Sequence, residues 1–393
     1  MDELPVVDLT DSAFWSDPYP VLAEALGQHP LGRGVDGGLI ALSFDAAESV
    51  LRDPRFLTTD LLAPRGITEG LIAEWWGQVM FSANPPVHTR LRRLVSRAFT
   101  PRAVESLRPR VVEITEELLD DFHGDTVDLV AGFAHDLPIR VMGAMLEVPA
   151  GDHRHFATWT ADLGLVFSSV HTPELLNRLE SAITGLNGYV AELIADRRRH
   201  PGDDLLSKLI AAEADGDVLT EPELIAMVEN LLFAGHDTTR SMLMIGAALL
   251  LSHPDQRALL SGDPGLAAQA VDEILRFEAP VLGSGRDAAE PLDLFGVPVD
   301  TGETVTTMSL AANRDSAAFD DPNRFNIRRP GGKLMSFGQG IHYCLGAALA
   351  RLEGQVAFPM LLERFPRMEL AAEPAWVPYA SIRRFEELLV TTS

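Results

Sequence analysis

The residues most able to do chemistry lie between Ser336 and Arg351, in the run SFGQGIHYCLGAALAR, which holds Cys344, the only cysteine among 393 residues. Gly338, Gly340 and Gly346 surround the sulfur and allow close backbone approach. The alanine- and leucine-rich run that follows reads as a helix, so the thiol sits at a helix start. There the unpaired N–H groups and the positive dipole end favour the ionised sulfur, which makes it a plausible metal ligand. One thiolate cannot hold zinc or an iron–sulfur cluster, since those sites take about four protein ligands. Haem needs one, because the porphyrin supplies the four equatorial nitrogens.

The segment Phe337-Gly338-x-Gly340-x-His342-x-Cys344-x-Gly346 closely resembles the haem-ligand signature of the cytochrome P-450 superfamily, in its soluble bacterial form. The competing reading makes Cys344 a buried free thiol packing as a small hydrophobe. The resemblance implies Cys344 as the axial iron ligand, with Phe337, Gly338, His342 and Gly346 against a haem b cofactor.

A second stretch with chemical potential lies within a long helical pattern, Glu221 to Ser252, opened by the capping box Thr220-x-x-Glu223 and closed near His253-Pro254. It should run roughly 45 to 50 Å. At its middle, Ala234-Gly235-His236-Asp237-Thr238-Thr239 places weak helix formers among leucines and methionines, a local conflict of the kind that marks function. Thr238 is placed to bond back to the carbonyl of Ala234, opening a small groove. The run resembles the family's oxygen-binding groove, and the resemblance implies Asp237 and Thr238 as the proton-delivering pair, with Ala234 and Gly235 beside the haem.

The helical segment starting at His88 puts His88 and Arg92 four apart on one face, able to point at a single anion. By resemblance these bind haem propionates, together with Arg286. Arg90, Arg93, Arg97 and Arg102 remain on other faces: either a solvated surface or a docking patch for an acidic electron-transfer protein. Glu273-x-x-Arg276 forms an ion pair three residues apart on a helix ending before Pro280. The segment Phe319 to Phe325 resembles the meander whose arginine, here Arg324, completes a buried charge network with that pair. The substrate pocket implied by position is lined by Val79, Leu165, Leu231, Ala234, Val281, Leu282 and Ile382, nearly all apolar. In the family, the connection around Ser168 to Thr172 is the mobile roof of the channel, and Ser381 and Ile382 turn toward the pocket.

Composition bounds the rest. With 46% hydrophobic residues and no linker, repeat or charge block, one unit spanning residues 1–393 is expected. The acidic N-terminus lacks signal-peptide features, no segment reaches about 18 unbroken apolar residues, and a single cysteine forbids an internal disulfide, so a cytoplasmic protein away from membranes is expected. A net charge of −25 argues against a nucleic-acid partner. Further helices are expected over Phe44 to Arg52, Val104 to Phe122, Val127 to Leu146, Asp152 to Phe167 and Pro173 to Arg199, a hairpin around Asp36-Gly37-Gly38, and paired strands over Asp293 to Val305 and beyond Met368. Leu57 to Asn84 reads as irregular and apolar. Three departures from the family pattern stand out: Asn326 for the usual Asp, Ser316 for Pro, and Pro359 in the helix after Cys344, which should kink or shorten it.

The fold implied by the resemblance is mainly α with smaller β-sheets, the cytochrome P-450 fold, with haem between the long central helix and the cysteine loop. The implied activity is monooxygenation: reductive activation of dioxygen to hydroxylate or epoxidise a mainly apolar small molecule. Electrons would come from a separate ferredoxin and ferredoxin reductase, since no nucleotide fingerprint is present. Oxidative coupling or peroxide-driven oxidation on the same haem is the alternative, and a non-catalytic sensor or partner protein would not need Asp237 and Thr238.

Overall fold

The computed structural model describes residues 3–167, 172–214, 216–380 and 382–392. Most of the chain is helical, and its longest helix is Glu221–Ser252. The Thr220 hydroxyl accepts from the Glu223 N–H while the Glu223 carboxylate accepts from the Thr220 N–H, so both free donors at this helix start are satisfied. Twenty of its residues are buried, on all sides, which is the pattern of a helix enclosed by others rather than lying on a surface. Helices Asp136–Met145, His153–Leu163, Pro173–Arg199, Ala267–Phe277 and Ala347–Arg364 pack against it.

Beside this helical body, a six-stranded sheet runs in the order Val6–Val7, Leu31–Gly34, Leu39–Ala41, Thr304–Met308, Gly283–Ala288, Phe56–Thr58. Its register sets Arg286 opposite Val305 on one side and Thr58 on the other. A small sheet joins Glu369–Leu370, Leu389–Thr391 and Thr126–Asp128, and two hairpins complete the strands. Apolar residues gather in one large cluster around the central helix and two smaller ones on either face of the six-stranded sheet. Among the described residues, no helix is long and apolar enough to cross a membrane.

Several expected elements differ in detail. Val104 to Phe122 is two helices, Pro101–Glu105 and Arg108–Asp120, the second with Pro109 in its first turn. The stretch beginning at Val127 starts as a strand, and passes through a π-helical turn, Val130–Ala134, before the helix at Asp136. Leu57 to Asn84 contains a helix, Leu71–Gln78, entered through Gly70 at φ 86°. Pro359 does not shorten its helix, which continues to Arg364. The proline costs one hydrogen bond, and burial of Phe358, Leu361 and Leu362 around it offsets the loss. Ser316 is exposed, and Asn326 accepts from the Arg328 N–H, a turn bond that aspartate would also make. Of the expected channel roof only Thr172 is described, and Ser381 also lies outside the described residues.

Candidate active site

Cys344 is held by a tight loop. Its N–H donates to the Phe337 carbonyl at 2.9 Å, Gly338 donates to Met335 at 2.8 Å, and Tyr343 to Gly340 at 3.2 Å. Gly340, at φ 69°, cannot be replaced without conflict: a Cβ there would lie 2.1 Å from the Leu51 carbonyl oxygen. The loop is therefore pressed against the helix Phe44–Arg52, where Arg52 also donates to Gln339 at 2.9 Å.

The sulfur sits just before the helix Ala347–Arg364. Sequence reasoning expected the helix start to favour the thiolate, but burial dominates and raises the Cys344 thiol above its ordinary range. The N–H groups of Gly346 and Ala347 and the charges of Arg92 and Arg351 pull the other way without overcoming it. Such a sulfur gives up its proton when a cation replaces it, which is how a thiol becomes a metal ligand. Arg351 lies 4.5 Å from the Phe337 ring centroid and donates to Asp272 at 2.7 Å, fixing one wall of the loop.

Next to the sulfur, four cationic or potentially cationic side chains converge. The rings of His88 and His342 stand 4.0 Å apart between centroids, and Arg92 and Arg286 face both. Burial, with help from Arg92 and Arg286, pushes His88 down to about 4. Burial and the neighbouring His88, Arg286 and Arg92 push His342 down to about 3, and burial lowers Arg286 to about 10. His88 Nδ1 is buried without a hydrogen-bond partner, and among the described residues neither arginine forms an ion pair. Four groups crowded together with no counter-anion are costly unless an anion joins them, and a dicarboxylate fits that need. The Thr58 hydroxyl, 3.0 Å from His342 Nε2, orients that ring from the edge of the sheet.

Within the central helix, the Thr238 hydroxyl donates to the Ala234 carbonyl at 2.7 Å, as the sequence predicted. Asp237 Oδ1 lies 3.6 Å from His236 Nδ1 and 3.7 Å from Arg240. Gly235 also serves helix packing. A Cβ on it would meet Met142 Sδ at 3.4 Å, so the glycine admits the helix Asp136–Met145 against the central helix.

Behind the loop, Glu273 is gripped by two arginines. Arg276 donates to both of its oxygens, at 2.8 and 2.9 Å, and the second arginine is Arg329, at 3.0 Å. Arg324, the residue expected there, contributes only its carbonyl, which accepts from Arg276 and Arg329. The irregular meander turns five residues later than anticipated, and the Arg329 side chain folds back. The network reaches the cysteine loop through Asn313: its carbonyl accepts from Arg276, its amide oxygen from the Met335 N–H, and its amide nitrogen donates to Ser336.

Of the expected pocket residues, Val79 and Leu231 are buried in the large cluster with Ala234 packed against it. Val281 and Ile382 bridge to each other, and Leu165 lies in the 3-10 turn Gly164–Phe167. Leu282 points elsewhere: it packs with Val7, Phe14 and Leu22, because neighbours along an extended chain face opposite ways. Sequence reasoning missed Glu229 and Asn230. Glu229 accepts from the Trp75 indole at 3.0 Å, and Asn230 accepts from the Phe81 N–H at 3.1 Å, tying the helix Leu71–Gln78 and its exit to the central helix. Burial pushes Glu229 up to about 8. Their signal was present, since adjacent Glu and Asn inside MVENLLF are misplaced in an apolar helix. Trp75, Trp76, Phe81, Phe167 and Phe233 form a continuous ring cluster above them.

A lone thiol in a glycine-pinned loop, a donor cluster with two arginines and no anion beside it, and a long helix with a back-bonded threonine at its middle are the parts of a haem-thiolate protein. Comparison with known proteins agrees. The family model described as Cytochrome P450 matches residues 155–260 and 265–373. The chain is 39% identical to the cytochrome P450 monooxygenase PikC of Streptomyces venezuelae, over 98% of this chain and 94% of that one. It is 39% identical to the 6-deoxyerythronolide B hydroxylase of Saccharopolyspora erythraea, over 94% and 93%. The crystal structure of CalO2 superposes with a TM-score of 0.93 at 32% identity, covering 99% of each chain. The chain belongs to the cytochrome P450 family. It is an oxygen-incorporating oxidoreductase whose cofactor is of the haem-thiolate type and whose co-substrates are a small molecule and dioxygen.

Proposed function

We propose that this protein hydroxylates or epoxidises a mainly apolar secondary metabolite, with haem b as cofactor and electrons from a separate ferredoxin and its reductase. The observation that carries the reading is the convergence of Cys344 with the guanidiniums of Arg92 and Arg286 and the neutral rings of His88 and His342, a set of donors with no anion among them. Cys344 would ligate the iron, and Arg92 and Arg286, with His88 and His342 as hydrogen-bond donors, would hold the two propionates. When bound, the haem supplies the site at which dioxygen is reduced and split. Asp237 and Thr238 deliver protons there: the Asp237 carboxyl gives a proton inward, and the Thr238 hydroxyl, held by Ala234, orients its path. The substrate space is bounded by Val79, Ala234, Val281 and Ile382 together with the aromatic cluster, surfaces that hold apolar molecules and exclude water. Glu273, Arg276 and Arg329 hold the loop in place and take no part in bond chemistry.

The supporting likeness is to enzymes whose names include the 6-deoxyerythronolide B hydroxylase. The test is turnover of a natural-product library with a surrogate ferredoxin system under isotopically heavy dioxygen, read by mass spectrometry. One heavy oxygen atom in the product is expected. A product that has lost two hydrogens and gained no oxygen would replace monooxygenation with oxidative coupling.

A further inference from the structure

Asp237 lies at the inner end of a line of titratable side chains that the reading above leaves unused. His236, 0% exposed, has its Nε2 3.1 Å from the main-chain oxygen of His135. A carbonyl only accepts, so Nε2 carries the hydrogen. Nδ1 is then the free position, buried with no hydrogen-bond partner and 3.6 Å from Asp237 Oδ1. The His236 ring also meets the ring of His135 edge to face, with centroids 5.1 Å apart. His135 Nδ1 in turn lies 2.9 Å from Asp136 Oδ1.

The outer end of this line is open to water: the His135 and Asp136 side chains are 35% and 38% exposed. The backbone brings them there through the π-helical turn Val130–Ala134, whose widened spacing ends at His135 and packs on the central helix. The charged groups facing His236 are Asp237 and Arg240 from its own helix and His135 and Asp136 from the neighbouring one. Burial favours the neutral ring, and Asp237 favours the charged one. Burial wins and holds His236 below its ordinary range, so a proton placed on it beside Asp237 is passed on rather than held.

We propose that His236 supplies protons to Asp237 and is itself recharged from the His135–Asp136 pair at the surface. In the transfer, the Nδ1–H bond of the imidazolium breaks and an O–H bond forms on Asp237. The ring's positive charge and the carboxylate's negative charge disappear together, leaving the neutral Nε2–H imidazole. A solvent proton taken up through His135 and Asp136 then restores Nδ1–H. His236 acts through Asp237 and is a positioning and relay residue, so the proposal rests on Asp237 being the proton donor.

The test combines two readouts on the holoprotein. Nitrogen NMR of labelled histidine in the ferrous carbonyl form should show His236 as the Nε2–H tautomer, with an apparent pKa that falls in Asp237→Asn. For turnover, His236→Gln should slow product formation about tenfold and enlarge its solvent deuterium isotope effect, with haem spectrum and substrate affinity unchanged. His135→Gln, which keeps the backbone carbonyl and the fold, should move the isotope effect in the same direction. Wild-type rates and isotope effects in both histidine variants, alongside an impaired Asp237→Asn, would overturn the relay while leaving Asp237 as donor. An unimpaired Asp237→Asn would overturn both.

Discussion

The hydroxyl of Thr238 donates to the carbonyl of Ala234, one turn earlier in the central helix, at 2.7 Å. That bond fixes the side chain in one rotamer and removes the carbonyl from sole use by the helix ladder. Thr238→Ala should therefore bind haem and substrate normally yet divert reducing equivalents to peroxide, with product per reductant consumed falling about tenfold. Thr238→Ser should restore most of the coupling. Unchanged coupling in the alanine variant would remove Thr238 from proton delivery.

Glu273 and Arg329 supply a sharper structural test. Removing the Arg329 guanidinium leaves a buried carboxylate with one charged partner instead of two, and should cost about 3 kcal/mol in thermal unfolding of the holoprotein. Arg324→Ala should cost less than about 0.5 kcal/mol, because only its carbonyl is used. The reverse order would place the wrong arginine in the network.

Glu353 predicts a pH dependence. It is 1% exposed, its Oε2 has no partner, and burial pushes it up to about 8 from an ordinary 4.5. The folded state thus binds a proton that the unfolded state releases, so this contribution to stability is complete below pH 4.5 and is lost as pH rises through about 8. Glu353→Gln, which mimics the neutral acid, should be nearly neutral at pH 5 and stabilising by on the order of 2 kcal/mol near pH 9. Parallel stability curves for the two proteins across that range would show that Glu353 is ionised in the fold.

On the helix Val87–Ala98 the basic residues divide into two groups. Arg90 is committed to Asp217 and Glu223, at 2.6 and 2.5 Å, which draws the strand Asp217–Val218 and the start of the central helix against this one. Arg93 lies 3.9 Å from Asp217, and Arg97 is exposed. Arg97→Glu should slow first-electron transfer from a ferredoxin and flatten its ionic-strength dependence, since charge steering is screened beyond about 8 to 10 Å at ordinary salt. Stopped-flow reduction across a salt series measures both. Wild-type rates and slope would mean that Arg97 belongs to a solvated face.

Much of this was legible in the sequence where local chemistry decides structure. The bounds Glu221–Ser252 and Pro173–Arg199 follow from a capping box, first-turn prolines and a following proline, all local signals. The spacing of Thr238 to Ala234 is likewise a property of any helix. What stayed hidden depends on the path of irregular chain. Arg324 and Arg329 are the same residue type five apart in a meander, and only the backbone's turns determine which one reaches Glu273. Leu282 and Val281 differ by one position in extended chain, so a register decides which faces the pocket. The rise in the Cys344 thiol depended on burial by residues distant in sequence, which outweighed the helix-start effect.

Ligation of a haem iron by Cys344 is tested most directly on the reduced protein under carbon monoxide. The Soret band should move to the red-shifted position of a thiolate-ligated haem in the wild type, and Cys344→His should lose it while retaining bound haem through His88, Arg92 and Arg286. The same thiolate band in the histidine variant would contradict the assignment, because the chain has no second cysteine to supply it.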